Sequence, residues 1–100
     1  MKFENANVLI TGGASGIGKI MGRMALERGA KRFIIWDINI AGIEQTRNEL
    51  SSYGKVKGYV VNVADNDVVT AAYRKTVEDC GPIDILINCA GIVTSNKTFD

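Results

Sequence analysis

Four short apolar runs punctuate the chain: Val8-Leu9-Ile10-Thr11, Phe33-Ile34-Ile35-Trp36, Tyr59-Val60-Val61 and Ile83-Asp84-Ile85-Leu86-Ile87. They are rich in β-branched and aromatic residues and mostly continuous rather than alternating. A strand covered on both faces has no polar side to display, so such runs predict buried strands of a parallel sheet. Between them, apolar residues recur with helical period. Ile17, Ile20, Met21, Met24 and Ala25 share one face, with Lys19, Arg23 and Glu27 opposite, which predicts an amphipathic helix stopped by Gly29. A second helix is expected from about Ile40 to Ser52, capped by Asn39 and stopped by Gly54. A third carries Val69, Ala72, Tyr73, Thr76, Val77 and Cys80 on one stripe, with Asp65 as its cap and Gly81-Pro82 as its end. The order β-α-β-α-β-α-β implies right-handed crossovers and a parallel α/β sheet.

Composition narrows the chemistry. The chain has 100 residues, 46% hydrophobic and 23% charged, which fits an ordered globular domain. The net charge is +1 and the basic residues are scattered, so no electrostatic footprint for nucleic acid is present. No apolar run approaches the ~18 residues of a membrane span. Met1-Lys2-Phe3-Glu4-Asn5 lacks the apolar core of a secretory signal. Cys80 and Cys89 are too few for a disulfide scaffold, and free thiols point to a cytoplasmic protein. There is no histidine, which excludes a Ser-His-Asp triad or a His-ligated zinc within this chain. The polar cluster Asp65-Asn66-Asp67 reads as capping, and no metal site is expected.

The first strand runs straight into Thr11-Gly12-Gly13-Ala14-Ser15-Gly16-Ile17-Gly18, and the first helix follows. A strand-turn-helix at the start of a βαβ unit sets backbone N–H groups and a helix N-terminus where a pyrophosphate can sit. Gly12 permits the turn off the strand, Gly16 a close approach of backbone to phosphate, and Gly18 close packing of the helix on the sheet. A P-loop reading of Gly13 to Ile20 fails, because Ile20 stands where a Mg²⁺-binding hydroxyl is needed. Lys19 then reads as a solvated residue of the first turn. Asp37 closes the second strand 19 residues after Gly18, the position of a carboxylate that accepts hydrogen bonds from the adenosine ribose. It would repel a 2′-phosphate, and the next residue is Ile38 rather than Arg or Lys, so NAD is expected over NADP.

These residues resemble the short-chain dehydrogenase/reductase family in its classical branch. Thr11-Gly12-x-x-x-Gly16-Ile17-Gly18 matches that family's T-G-x-x-x-G-x-G, while the extended branch would want glycine at Ser15. Asn62-Val63 resembles the D-V pair beside the adenine ring, with an amide in place of the carboxylate that still reaches the adenine amino group. Asn88-Cys89-Ala90-Gly91 resembles N-N-A-G after the fourth strand, where Cys89 replaces a sheet-stabilising Asn. The resemblance runs from Val8 to Asp100, and it implies a doubly wound, Rossmann-like α/β sheet with strand order 3-2-1-4. It implies NAD held by Gly12, Ser15, Gly16, Ile17 and Gly18, by Asp37 and Ile38, by Asn62 and Val63, and by Asn88, Ala90 and Gly91.

The resemblance also implies hydride transfer between NAD and a small-molecule alcohol or ketone. Trp36-Asp37-Ile38-Asn39 resembles the subgroup that takes lipophilic alcohols. The intact enzyme is expected to be a homo-oligomer. The family's catalytic Ser and Y-x-x-x-K lie beyond the fourth strand, so none is assigned in this chain. Tyr53 and Lys57 have the spacing, but Gly54 breaks any shared helical face. The chain therefore reads as the N-terminal NAD-binding part of one larger domain, inactive and association-prone by itself through its fourth strand. The alternative is a non-catalytic dinucleotide-binding module.

Overall fold

A computed structural model describes residues 2–90. The element order is β1 (Asn7–Thr11), α1 (Gly16–Glu27), β2 (Arg32–Asp37), α2 (Ile40–Leu50), β3 (Val56–Val60), α3 (Asn66–Cys80) and β4 (Ile85–Asn88). The four strands form one parallel sheet in the order β3-β2-β1-β4. All strands therefore end on the same side, and the chain reverses its direction of winding between β1 and β4. Val8 pairs in register with Phe33 and with Ile85, and Thr11 with Trp36 and with Asn88.

Alternation along the strands divides the core in two. Val8, Ile10, Phe33 and Ile35 meet Ala25 and Leu26 of α1 and Ile43 and Leu50 of α2. Leu9, Ile34 and Trp36 point the other way, toward Cys80, Val69 and Ala72 of α3. The central strands β1 and β2 are buried on both faces, as their continuous apolar runs require. The outer strands are not. β3 is half-buried, and Leu86 of β4 is 63% exposed on the face that α3 shares.

Two expectations shift for identifiable reasons. β3 starts at Val56, before the apolar run, because Lys57 and Gly58 belong to it. A Cβ at Gly58 would come within 2.2 Å of Ile43 Cγ2, so the missing side chain is what lets α2 lie on this strand. On α1 the buried positions are Gly18, Gly22, Ala25 and Leu26, whereas Ile17, Ile20 and Met24 are exposed. The helix turns its smallest residues to the sheet: a Cβ at Gly22 would lie 2.2 Å from the Phe33 ring. Hydropathy does not register glycine as a packing face, so the pattern placed the stripe about one position away. α2 ends at Leu50, two residues earlier than its pattern suggests. Asn39 and Asp65 cap α2 and α3 as expected, accepting from Gly42 N and from Asp67 N and Val68 N.

Candidate functional site

The carboxyl ends of β1, β2 and β4 and the start of α1 enclose a cavity of about 540 Å³, within the range of small-molecule sites. Backbone hydrogen bonds fix its floor. Gly12 N–H donates to Trp36 O at 2.7 Å, Val61 N–H to Asp37 O at 2.9 Å and Cys89 N–H to Thr11 O at 3.0 Å. The Thr11 hydroxyl donates to Asn88 Oδ1 at 2.7 Å and accepts from Ala90 N–H at 3.3 Å. Adjacent strand ends are thus tied to one another before anything else is added.

The glycine-rich turn supplies the cavity's polar wall. Gly12 has φ +73° and packs so tightly that a Cβ would meet Ala90 N at 3.0 Å. Gly16 has φ +46° with open space around it, so backbone conformation alone demands glycine there. Gly18 packs elsewhere than the sequence suggests. A Cβ on it would reach Gly12 O at 2.3 Å, so it seats α1 on the turn, and Gly22 seats α1 on the sheet. Ser15 is the N-cap of α1 but makes no side-chain capping bond. First-turn amides have no intrahelical acceptor, so those at the cavity keep their hydrogen-bonding capacity, together with the positive end of the helix dipole. Lys19 lies in the first turn, partly exposed as expected, and its ammonium also pairs with Glu49 of α2. That bond holds the Glu49 carboxyl below the usual carboxylate range.

Asp37 stands at the end of β2. Its Oδ2 accepts from Ala14 N–H and its Oδ1 from Asn39 N–H, each at 3.1 Å. A carboxylate has about four lone-pair positions, so roughly one per oxygen is left for the cavity. Ile38, Val63 and Ile17 bring exposed apolar side chains to the same rim. Asn62 Oδ1 accepts from Ala64 N–H at 3.0 Å. The oxygen expected to meet an adenine amino group is thus held locally, and the NH₂ is the end left for a ligand.

Ten of the twelve residues singled out from the sequence line this cavity: Gly12, Ser15, Gly16, Ile17, Gly18, Asp37, Ile38, Asn62, Val63 and Ala90. Asn88 does not. It lies in a neighbouring groove between α3 and β4, with Leu9, Tyr73 and Leu86. Gly91 lies outside the described residues. Sequence reading missed Trp36, Val61, Ala64 and Cys89 as lining residues. Each adjoins a residue that was named, and strand continuity is the signal that could have found them. Cys89 is buried with its Sγ 3.8 Å from Met21 Sδ, so a sulfur–sulfur contact stands where the N-N-A-G pattern has an amide. Burial pushes its thiol pKa up. Among the described residues no acidic or cysteine cluster could hold a metal ion, and no helix is long and apolar enough to cross a membrane.

Comparison with known proteins agrees with this architecture. The family model for short chain dehydrogenase matches residues 6–100. The chain is 40% identical over 93 residues to the 3-oxoacyl-(acyl-carrier-protein) reductase FabG of Thermotoga maritima, covering 92% of this chain and 37% of that protein. It is 36% identical over 93 residues to estradiol 17-beta-dehydrogenase 11 of Rattus norvegicus, covering 92% and 31%. Among solved structures, a NAD⁺-bound xylitol dehydrogenase superposes with a TM-score of 0.80 at 25% identity, over 86% of this chain and 33% of that one. A short chain dehydrogenase from Mycobacterium smegmatis does so with a TM-score of 0.80 at 33% identity, over 87% and 36%. The chain spans about a third of the length of the curated relatives it matches. On its motifs, its sheet order and the match over residues 6–100, this chain belongs to the short chain dehydrogenase family.

Proposed function

We propose that this chain is the NAD-binding part of an oxidoreductase that interconverts an alcohol and a carbonyl. The observation that carries the reading is the Asp37 carboxylate beside the uncapped start of α1. An anionic pyrophosphate fits the free amides of Gly16, Ile17 and Gly18, and a ribose diol fits the two lone pairs that Asp37 has left. Ile38 and Val63 offer an apolar slot for a flat base, and the Asn62 NH₂ can donate to a ring nitrogen.

The same geometry favours NAD over NADP. A 2′-phosphate would sit against a carboxylate, the residues that follow are Ile38, Asn39 and Ile40, and Lys19 is already engaged by Glu49. The xylitol dehydrogenase neighbour is NAD⁺-bound, which supports the choice. Bound NAD would supply the hydride acceptor or donor. This chain's part is to bind and orient it. The acid–base tyrosine and its lysine, by family resemblance, belong to the rest of the protein.

Titration calorimetry on the intact protein, with NAD⁺ and NADP⁺ in parallel, tests the cofactor reading. Asp37→Ala removes the net equivalent of one hydrogen bond to a charged group, worth about 1.5–3 kcal/mol. The expected result is a roughly 10- to 150-fold loss of NAD affinity and a relative gain for NADP. Equal affinities in the unsubstituted protein, or a ratio that Asp37→Ala leaves alone, would overturn it. Turnover of an alcohol panel with NAD⁺ separates an enzyme from a non-catalytic binding module.

A further inference from the structure

The selectivity of Asp37 depends on where its carboxylate points, and α2 controls that. Each carboxylate oxygen is held by one backbone N–H, from Ala14 in the glycine-rich turn and from Asn39 in the β2–α2 connection. These peptides belong to segments far apart in sequence, and the start of α2 touches both. The Asn39 side chain is locked by accepting from Gly42 N–H at 2.9 Å. A Cβ at Gly42 would lie 2.9 Å from Asn39 Nδ2, 3.0 Å from its Cγ and 3.4 Å from Ala14 Cβ. One turn further on, fully buried Thr46 turns its hydroxyl to Ala14 O at 3.4 Å. The bare face of Gly42 therefore lets both donors of the carboxylate converge on one helix.

We propose that Gly42, together with Asn39 and Thr46, positions the Asp37 carboxylate and so sets the preference between the two dinucleotides. A side chain at position 42 must displace the Asn39 amide, while it meets the Ala14 methyl only at ordinary contact distance. Breaking the Asn39 side-chain bond to Gly42 N–H frees the Asn39 peptide to shift, which loosens its bond to Asp37 Oδ1 and lets the carboxylate rotate its remaining lone pairs away from the cavity. The inference rests on the NAD reading above. It goes beyond it by placing part of the selectivity on a helix whose three positions do not line the cavity.

Alanine favours a helix interior over glycine, so a change in selectivity from Gly42→Ala is separable from loss of the helix. The experiment measures NAD⁺ and NADP⁺ dissociation constants for intact protein carrying Gly42→Ala, Asp37→Ala, and both. Gly42→Ala is expected to weaken NAD⁺ about three- to tenfold, as for one disturbed hydrogen bond, and to change NADP⁺ less. In the Asp37→Ala background it should leave the ratio unchanged, because the group it acts through is gone. Equal loss for both dinucleotides, or a ratio shift that persists without Asp37, overturns the positioning role. If Asp37→Ala alone leaves the ratio unmoved, the cofactor reading itself fails, which is a different outcome. Should Gly42→Ala not fold, Thr46→Val and Thr46→Ser decide: the valine should shift the ratio in the same direction and the serine should restore it. A ratio untouched by valine overturns the proposal.

Discussion

Replacing Gly22 by alanine should destabilise this fold, although alanine is the better helix former. The intrinsic gain is about 1 kcal/mol in a helix interior. Against it stands a new Cβ at 2.2 Å from Phe33 Cε2 and Cζ and 2.6 Å from Cδ2. Carbon atoms pack best at about 3.5–4.0 Å, so more than an ångström must be found. The ring cannot supply it. Phe33 is fully buried, and Gly13 faces it as well, with a Cβ position only 3.2 Å from the same ring. α1 would have to lift from the sheet, an overpacking cost at the upper end of about 1–3 kcal/mol. The net expectation is a loss of about 1–2 kcal/mol, read by urea denaturation of the intact protein as a lower midpoint at unchanged slope. Phe33→Leu makes room, so the double variant should be more stable than the sum of the single effects predicts, by about 1 kcal/mol. A Gly22→Ala protein at least as stable as the parent, or strict additivity with Phe33→Leu, would refute the reasoning. Gly18→Ala is the contrasting case. Its Cβ meets the Gly12 carbonyl, a backbone atom of the turn, so dinucleotide affinity should fall together with stability.

Ser15→Asp should cap α1 and raise stability by about 0.5–1 kcal/mol while weakening dinucleotide binding through repulsion of the pyrophosphate; tighter binding in calorimetry would contradict the site. Thr76→Val removes the acceptor of the Trp36 indole N–H, now bonded at 3.1 Å. Leaving that buried donor bare costs about 1–3 kcal/mol, and unchanged stability in denaturant titrations would argue against it. Glu49 and Asp79 titrate below ordinary carboxylates, held chiefly by hydrogen bonds from Lys19 and from the Tyr59 hydroxyl. Their contribution is present above the unfolded carboxylate pKa and is lost as pH falls through the lowered folded values. Glu49→Gln with Asp79→Asn should flatten the acid limb of the stability profile, and an identical limb would refute the pairing. Cys80 and Cys89 are both buried, so a maleimide should label them only as the protein opens. Fast labelling of Cys89 in the native state would contradict its burial and its raised thiol pKa.

The strand-and-helix order was legible because central strands of a parallel sheet have no polar face to confuse the pattern. The sheet order β3-β2-β1-β4 is the one the family resemblance implies; crossover handedness alone does not select it. Legibility failed wherever glycine did the packing. Gly22 against Phe33 and Gly58 against Ile43 are contacts made by an absent side chain, and a hydropathy pattern records only side chains that are present. Hence the expected α1 stripe is offset by about one position, and the expected start of β3 falls later than Val56. The cavity was legible through spacing, since the Gly12–Gly18 turn and Asp37 end adjacent strands. Partner choice was not legible. That Lys19 turns to Glu49 and that Asp37 reaches the Ala14 peptide depend on packing between segments far apart in sequence, while Asn62 bends back to Ala64 in a local two-residue turn whose direction spacing does not mark.

The two ends of the sheet handle their polar groups in opposite ways. At the strand starts, Asn7 is buried and fully used. Its Nδ2 donates to Cys80 O and Pro82 O, its Oδ1 accepts from Arg32, and its N–H donates to Asp84 Oδ2. The fold itself satisfies every polar atom of that side chain. At the strand ends, α2 and α3 carry side-chain caps and α1 carries none. A cap is worth about 1 kcal/mol, so α1 forgoes stability that a serine at position 15 is chemically able to supply. Asp37 likewise spends one hydrogen bond per oxygen on the backbone and keeps the rest. An anion for the helix end and a diol for the carboxylate would satisfy both groups at once. A dinucleotide presents those two functions joined, so the proposed ligand would account for both omissions at once.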